Sequence, residues 1–375
     1  MGTLAAVLLA VALAAAAHYA FWTWRLRVPG TEDEVLRAVT SDGWCLALGR
    51  RRPRGPARAL PVLLVHGLAV NRYFMDFGEE RHSLSAFLAA SGFDCFALDL
   101  RGHGQSRPGP RSDWCFDDYV RADLPAALDA VRAATGAARV LLVGHSQGAL
   151  VALAGAGLHP EPIAGLVAMA GPTRMDPGPA LRRFARAAFA LRSVTRLLAR
   201  MIAPFAGLAH PRLVQASIDT RNTSRPVLRR MLATTTENVP LGVGQQFRWW
   251  IRQDLFRSLD GADDYRANLA RTRVPALFVA APRDGLAPPG VVRASHDAWG
   301  GEKGWFLAGT AAGLSADYGH GDLIFGRRAP EEVFPRVRAW LEARAPVLAP
   351  AAGGDAARPL PGRDRGEGRM DGPRS

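Results

Sequence analysis

The sequence predicts an α/β protein whose mostly parallel sheet is flanked by helices, and two observations support this fold class. Short, continuous apolar runs alternate with stretches of helical periodicity along most of the chain. Such runs suit strands that are buried on both faces of a parallel sheet, and the alternation indicates right-handed strand–helix–strand crossovers. The predicted strands cover residues 60–65, 93–98, 140–143, 163–168, 274–280 and 305–308.

Local signals predict the elements around these strands. Residues 34–50 predict two short strands joined by the turn Ser41-Asp42-Gly43. Between the apolar runs, helical periodicity predicts helices over residues 84–90, 119–134 and 149–158.

The alternation of strands and helices stops between Pro172 and Arg273. The 100 residues in between have helical patterning and predict an inserted helical cap, placed at the carboxyl ends of the strands where α/β sheets hold their sites. We therefore expect five parts: an N-terminal membrane anchor or signal segment (1–27), a first core part (28–172), the cap (173–272), a second core part (273–345) and a disordered tail (346–375) rich in Ala, Pro, Gly and Arg.

Composition excludes several classes of protein. The 375 residues are 48% apolar and 22% charged, which excludes disorder throughout. Three cysteines without C-x-x-C spacing exclude a disulfide scaffold and argue against a cysteine-based zinc site. The net charge of +13 is concentrated in residues 173–230, with 12 arginines against Asp176 and Asp219, and no nucleic-acid motif accompanies it. We therefore expect no nucleic-acid partner.

The N-terminus predicts a membrane helix. Residues 4–24 form an uncharged run of 21 residues, about the length that spans a bilayer, with aromatic residues followed by Arg25 and Arg27 at its end. The positive-inside rule then places the rest of the chain in the cytoplasm, and the unpaired cysteines fit a reducing compartment. A cleaved signal peptide and secretion are the alternative, because residues 15–17 have A-x-A character. A loosely bound helix is a third reading of this weakly hydrophobic, alanine-rich run.

The strongest chemical signal is the motif Gly144-His145-Ser146-Gln147-Gly148 between a predicted buried strand and a predicted helix. A serine on such a sharp turn stands exposed above the sheet, and the flanking positions must be glycine because the turn is strained and closely packed. An ordinary strand-to-helix turn is the alternative for a motif this short.

The serine needs a base, and on this kind of turn the acid and then the histidine follow it in the chain. Asp284 comes just after the predicted strand 274–280, which suits the acid, although it could be a turn residue before Gly285. His320 lies in a glycine-flanked loop, which suits the base, although it could be an ordinary surface histidine. Asp317 and Asp322 are nearby alternatives for the acid.

Backbone N–H groups are expected to hold the oxyanion of an ester's tetrahedral intermediate. Gln147 follows the serine at the start of its helix and would supply one donor. Leu68 would supply the other from the loop after strand 60–65, where Gly67 allows a close approach. His66 precedes the serine, so we expect it to shape this loop rather than act as the base.

These residues together resemble the α/β-hydrolase superfamily. The resemblance rests on His66-Gly67, residues 99–104 (DLRGHG), residues 144–148, Asp284 and His320, and it covers roughly residues 34–343. The lipase and esterase branch that includes acid lipases is the most similar, through GHSQG, DYVRADLPAAL and DYGHGDLIFG. The last two passages also resemble polyhydroxyalkanoate synthases, which use Cys where this chain has Ser146. Dehalogenases and epoxide hydrolases of this fold use an Asp nucleophile, so Ser146 argues against both.

The resemblance implies an α/β-hydrolase fold and a serine hydrolase mechanism. Ser146 would attack an ester carbonyl, His320 would act as base, and Asp284 would orient His320 and stabilise its cation. This chemistry needs no metal and no organic cofactor. Arg101 and His103 are expected to organise the neighbouring loop.

The predicted cap indicates the substrate class. On a helix over residues 180–205, six arginines fall on one half of the circumference and most large apolar residues, including Leu181, Phe184, Leu198 and Ile202, on the other. This pattern fits a basic helix on an anionic membrane or a cap helix with a solvated arginine face. Four aromatic residues could line an acyl pocket or the cap core: Phe247, Trp249, Trp250 and Phe256.

Lipid-like esters are therefore the expected substrates. Two alternatives stay open, an acyltransferase that uses the same Ser146 and a non-catalytic, membrane-associated scaffold on this fold.

Overall fold

The computed structural model describes residues 2–109, 112–175, 182, 186, 189–209 and 212–348. In this part of the chain eight strands form one sheet in the order β1-β2-β4-β3-β5-β6-β7-β8. The strands are β1 (Glu34–Val39), β2 (Cys45–Arg51), β3 (Val62–Val65), β4 (Cys95–Asp99), β5 (Val140–His145), β6 (Ile163–Met169), β7 (Ala276–Ala280) and β8 (Lys303–Leu307).

The sheet is mostly parallel. β2 pairs antiparallel with β1 and with β4, and every later pair is parallel. All residues of β3, β4 and β5 are buried, as expected for continuous Val and Leu runs covered on both faces. The predicted fold class is confirmed, and each predicted strand overlaps an observed one.

Helices connect the strands and cover the sheet. The first five are α1 (Gly2–Leu26), α2 (Leu84–Ala90), α3 (Phe116–Asp118), α4 (Leu124–Thr135) and α5 (Gln147–Leu158). The predicted helix 119–134 is a π-helical turn, Tyr119–Asp123, that continues into α4. After β7 follow α11 (Pro289–Ala298), α12 (Asp322–Phe325), α13 (Ala329–Glu332) and α14 (Phe334–Glu342).

The stretch between β6 and β7 is helical where it is described. We call residues 173–272 the cap segment; it contains α6 (Thr195–Ile202), α7 (Arg212–Ser217), α8 (Arg225–Thr235), α9 (Leu241–Gln253) and α10 (Tyr265–Asn268). Leu181 and Phe184 of the amphipathic pattern, and the tail from residue 349, lie outside the described residues. The division of the chain into five parts stays a prediction.

Backbone hydrogen bonds join the cap segment to the loop that follows β3. The N–H of Asn71 donates to the carbonyl of Thr235 (3.0 Å), and the N–H of Glu237 donates to the carbonyl of Ala69 (2.8 Å). Asp117, in α3 after β4, also joins the core to the cap segment, since its carboxylate accepts from the Tyr265 hydroxyl (2.8 Å) and the Leu259 N–H (2.8 Å).

Helix α1 is long and apolar enough to cross a membrane, and its most apolar stretch is not buried against the rest of the protein. Only its last turns contact the cap segment. His18 Nε2 donates to the carbonyl of Met201 (3.0 Å), and Leu26 packs against Ala203 and Ala233.

Candidate active site

Ser146 occupies the turn between β5 and α5. Its backbone has φ 55° and ψ −118°, a left-handed conformation that a residue with a Cβ rarely adopts. Such strain costs about 1–3 kcal/mol and persists only where the surroundings enforce it. Here the N–H of Ser146 is held by the carbonyl of Met169 on β6 (2.8 Å).

The two glycines of the motif are required by close backbone contacts. A Cβ on Gly144 would lie 2.3 Å from the carbonyl oxygen of Gly148, and one on Gly148 would lie 2.1 Å from that of Val65. Both neighbours are backbone atoms, so they cannot move aside as a flexible side chain could. The packing therefore gives the physical reason for glycine at both positions.

His320 and Asp284 form a hydrogen-bonded pair at the carboxyl edge of the sheet. His320 Nδ1 lies 2.8 Å from Asp284 Oδ2, and both side chains are buried or nearly so. The other carboxylate oxygen of Asp284 accepts from the N–H groups of Leu286 (2.8 Å) and Ala287 (2.7 Å). With Nδ1 as the donor, Nε2 of His320 is the atom free to accept a proton.

The two alternative acids have other partners. Asp317 accepts from the N–H (2.8 Å) and hydroxyl of Thr310, whereas buried Asp322 accepts from the N–H of Gly319 (2.8 Å) and from Asn222 (2.8 Å). Burial raises the pKa of the Asp322 carboxyl, while its hydrogen bonds act against that rise. Among the three carboxylates, Asp284 is the one that contacts His320.

The loop after β3 passes beside Ser146. A Cβ on Gly67 would lie 3.2 Å from Ser146 Cβ, so glycine allows this approach. Leu68 and Gln147, the predicted oxyanion donors, both line the same cavity as Ser146. Their role as donors stays a prediction.

His66 is built into this loop. Its Nδ1 donates to the carbonyl of Gly67 (2.8 Å), and its Nε2 accepts from the N–H of Leu100 (3.2 Å). Complete burial, with His103 close by, lowers the pKa of His66 to about 3. A neutral ring with both nitrogens occupied suits the expected structural role. Arg101 is likewise part of this structure, because its guanidinium donates to the carboxylates of Asp123 (2.7 Å) and Asp42 (2.6 Å).

His145 was not singled out by the sequence. Its Nε2 donates to the backbone carbonyl of His320 (2.9 Å), and the two rings meet edge to face with centroids 4.8 Å apart. Burial, with His320 close by, lowers the pKa of His145 to about 3, so this ring is neutral near pH 7. Its place directly before Ser146 in the motif is the sequence signal that could have pointed to it.

Ser146 and His320 open into one apolar cavity of about 300 Å³. Core residues form one side of this cavity, and the cap segment forms the other through Phe189, Val214, Leu228, Met231, Phe247 and Ile251. Of the four aromatic residues proposed for an acyl pocket, Phe247 lines the cavity, whereas Trp250 and Phe256 are buried in an aromatic cluster around Phe116. Trp249 is partly buried against the core.

Within the described ranges, the His, Cys, Asp and Glu side chains form no group of three or more that could hold a metal ion.

A strained serine between a parallel strand and a helix, above a sheet of this order, defines the α/β-hydrolase class of folds. A family model described as alpha/beta hydrolase fold matches residues 61–312, and the chain belongs to this family.

Curated relatives include lipases and a polymerase. The tear acid lipase-like protein of Mesocricetus auratus is 33% identical over 137 residues, which is 33% of this chain and 34% of that protein. The chain thus spans about a third of the length of the first acid lipases it matches. The poly(3-hydroxyalkanoate) polymerase subunit PhaC of Allochromatium vinosum is 25% identical over 332 residues, covering 82% of this chain and 88% of the subunit.

Solved structures show the same fold. An esterase from Thermogutta terrifontis superposes with a TM-score of 0.56 at 20% identity, covering 83% of this chain and 98% of the esterase. The predicted likeness to lipases, esterases and polyhydroxyalkanoate synthases is confirmed.

Proposed function

We propose that the protein is a serine hydrolase that cleaves carboxylic esters with lipid-like acyl groups. One observation carries this proposal: His320, paired with the buried Asp284, lines the same apolar cavity as the strained Ser146. A buried carboxylate that fixes the tautomer of a histidine, at a cavity that also holds a serine, is the arrangement that nucleophilic acyl transfer needs.

The steps follow from these positions. Ser146 Oγ attacks the ester carbonyl carbon while His320 Nε2 takes the hydroxyl proton, and Asp284 stabilises the cation formed. The N–H groups of Leu68 and Gln147 hold the oxyanion of the tetrahedral intermediate. The alcohol leaves with the proton from His320, and a water deprotonated by His320 then attacks the acyl-enzyme and releases the acid.

The lining of the cavity favours a substrate with an apolar acyl group. Its walls are almost entirely apolar side chains from the core and the cap segment, and burial of apolar surface favours binding by about 25 cal/mol per Å². The named activity of the acid lipase relatives agrees with this substrate class.

We also propose that α1 is a retained membrane anchor with the catalytic part on the cytoplasmic side. The membrane-spanning length of this helix and the lack of any lysine or arginine before Arg25 support an anchor, whereas cleavage after Ala17 would leave the contacts of His18 and Leu26 with the cap segment intact. Determination of the N-terminal residue of the mature protein distinguishes the two.

Acyl transfer is the second candidate. The likeness to the PhaC subunit extends over 82% of this chain, whereas the lipase likenesses cover about a third. An acyl-enzyme on Ser146 would then pass its acyl group to an alcohol or thiol instead of water.

The test is hydrolysis of p-nitrophenyl esters from acetyl to palmitoyl, with wild type beside Ser146→Ala and His320→Ala. We expect activity in wild type, its collapse in both variants, and labelling of Ser146 by a fluorophosphonate. A folded wild type with neither turnover nor labelling would contradict the proposal. Labelling without turnover, followed by transfer to an added alcohol or thiol, would identify the acyltransferase.

A further inference from the structure

Helix α6 turns its apolar side outward. Leu197 and Ile202 are 48% and 54% exposed, whereas Ala199 is buried. Its arginines reach back to the cap segment: Arg196 pairs with Glu237 (3.3 Å), and Arg200 Nε donates to the carbonyl of Ala233 (3.2 Å). Arg196 itself is 49% exposed, so this helix has both a solvated arginine and an exposed apolar side.

The exposed apolar surface continues on both sides of α6. We call it the membrane-facing patch, and it consists of Leu191, Val194, Leu197, Leu198, Ile202, Phe205 and Leu208. Scattered apolar side chains are normal on a surface, but seven large exposed ones within residues 191–208 indicate an interaction site.

This patch lies directly beside the end of α1. The rings of His18 and Phe205 stack with centroids 5.8 Å apart and 10° between their planes. Arg200 donates to the hydroxyl of Tyr19 (3.0 Å), and His18 Nε2 reaches the carbonyl of Met201. The last turns of α1 and the patch therefore form one continuous surface.

The length of α1 places this junction at the depth of the membrane. The uncharged residues 4–24 span about 32 Å as a helix, and the hydrocarbon core of a bilayer is about 30 Å thick. The run is therefore only about as long as the hydrocarbon core is thick. When it spans the bilayer, its turns from His18 to Trp24 lie within or at the edge of the hydrocarbon. Ile202 and Phe205, beside these turns, lie at a similar depth.

The charges around the junction suit anionic headgroups. Arg25 lies in the last turn of α1, and Arg200 of α6 donates to the hydroxyl of Tyr19. A groove between α1 and α8 is lined by Trp22, Arg25 and Arg229, with the Arg229 guanidinium 5.3 Å from the centre of the Trp22 ring. Arg230 of the same groove pairs with Glu79.

We propose that the membrane-facing patch inserts into the bilayer leaflet that holds the end of α1, so that the cap segment docks on an anionic membrane surface. The occupant of the patch is lipid, because the patch adjoins a helix of membrane-spanning length whose end carries Arg25 and contacts Arg200 and Arg229.

Docking in this way would bring the cavity to the membrane. Thr195 of α6 and Leu228 and Leu232 of α8 line the cavity, and Leu232 also packs against the cluster formed by Leu26, Ala203 and Ala233. The same helices thus contact the anchor and form the cavity wall. Resting on the proposed function, lipid esters reach Ser146 from the bilayer rather than from water.

Membrane depth gives the first test. The native cysteines of the full chain are replaced by Cys45→Ser, Cys95→Ala and Cys115→Ser, so that one new cysteine can carry a bimane label. The new cysteine is Ile202→Cys or, as control, Val39→Cys at the exposed end of β1. In vesicles of phosphatidylcholine with a minor fraction of phosphatidylglycerol, spin-labelled phosphatidylcholine should quench the first probe at least about twofold and the second hardly at all. Equal quenching at both positions would overturn the proposal. So would the finding that a second copy of the chain shields the membrane-facing patch from lipid.

Hydrolysis gives the second test. Ile202→Glu with Phe205→Glu should lower hydrolysis of a long-chain ester held in these vesicles by about tenfold, because two charges must leave the hydrocarbon edge. Hydrolysis of water-soluble p-nitrophenyl acetate should stay unchanged, and Val39→Glu should affect neither. Equal loss on both substrates, or no loss on either, would contradict docking. A wild type inactive on both esters would contradict the proposed function, while the quenching result would still decide the docking.

Discussion

His145 Nε2 donates a hydrogen bond to the backbone carbonyl of His320 across 2.9 Å. The residue before the candidate nucleophile thus holds the loop that carries the candidate base. Because burial keeps the His145 ring neutral, with its pKa lowered to about 3, it can position His320 without competing for the proton of the serine.

We expect His145→Ala to lower kcat by about fivefold with little change in KM, since a neutral hydrogen bond contributes about 1 kcal/mol. His145→Gln keeps a side-chain donor and should recover much of this loss. The kinetic constants for a soluble ester and their pH profile are the measurement. Equal defects in both variants would mean that the ring acts through packing against Phe74 and not through the hydrogen bond.

Asp284→Asn should lower kcat by about 10³- to 10⁴-fold, because the amide disturbs the tautomer of His320 and cannot stabilise its cation. Asp317→Asn is the matched control, since Asp317 caps Thr310 and does not contact His320. The measurement is the steady-state rate of the purified wild type, Asp284→Asn and Asp317→Asn proteins. If Asp317→Asn were the more damaging change, the assignment of the acid would be wrong.

Gly148→Ala should destabilise the protein by about 2 kcal/mol or more, because the new methyl group would overlap the carbonyls of Val65 and His66. Gly290→Ala in α11 is the control, since nothing lies within 4 Å of its added methyl group, and it should be neutral or stabilising by up to about 1 kcal/mol. Denaturant unfolding of the detergent-solubilised full chain measures both. A neutral Gly148→Ala would contradict the close packing of α5 on β3.

His66 gives a pH prediction. Its folded-state pKa of about 3 lies below that of the unfolded chain, so the unfolded state binds more protons in acid. Its contribution to stability is therefore complete above about pH 6.5 and is lost as the pH falls, by about 2 kcal/mol at pH 5.

In His66→Asn this dependence disappears, so the difference in unfolding free energy from wild type should shrink by about 2 kcal/mol between pH 7.5 and pH 5. Ser85→Ala, a buried change without a titratable group, should give a constant difference. A pH-independent difference for His66→Asn would show that this ring titrates alike in both states.

Local signals explain what the sequence could predict. The parallel strands are short continuous apolar runs, and the glycines around Ser146 mark a turn whose packing excludes a side chain. The sequence favoured Asp284 as the acid because it follows the end of a strand, but it kept Asp317 and Asp322 as alternatives, because which carboxylate meets His320 depends on how two loops after different strands approach each other. Only the tertiary structure brings Asp284 within 2.8 Å.

The orientation of α6 was beyond the sequence for a related reason. An amphipathic pattern shows that a helix has a polar and an apolar face, but it does not show which face packs against the rest of the protein. Here Arg196 and Arg200 bond to Glu237 and to the carbonyl of Ala233 elsewhere in the cap segment, while Leu197 and Ile202 stay exposed. The role of His145 also depends on a contact between residues 175 positions apart.

The two backbone hydrogen bonds between residues 69–71 and 235–237 bear on how this enzyme could be re-engineered. Exchanging the region between β6 and β7 for that of another family member would leave the carbonyl of Ala69 and the N–H of Asn71 without their partners, beside the loop that holds Leu68. A chimera that changes the cavity wall would therefore have to transfer the loop after β3 together with the helices. Under the proposed function, acyl preference and oxyanion binding would be inherited as one unit.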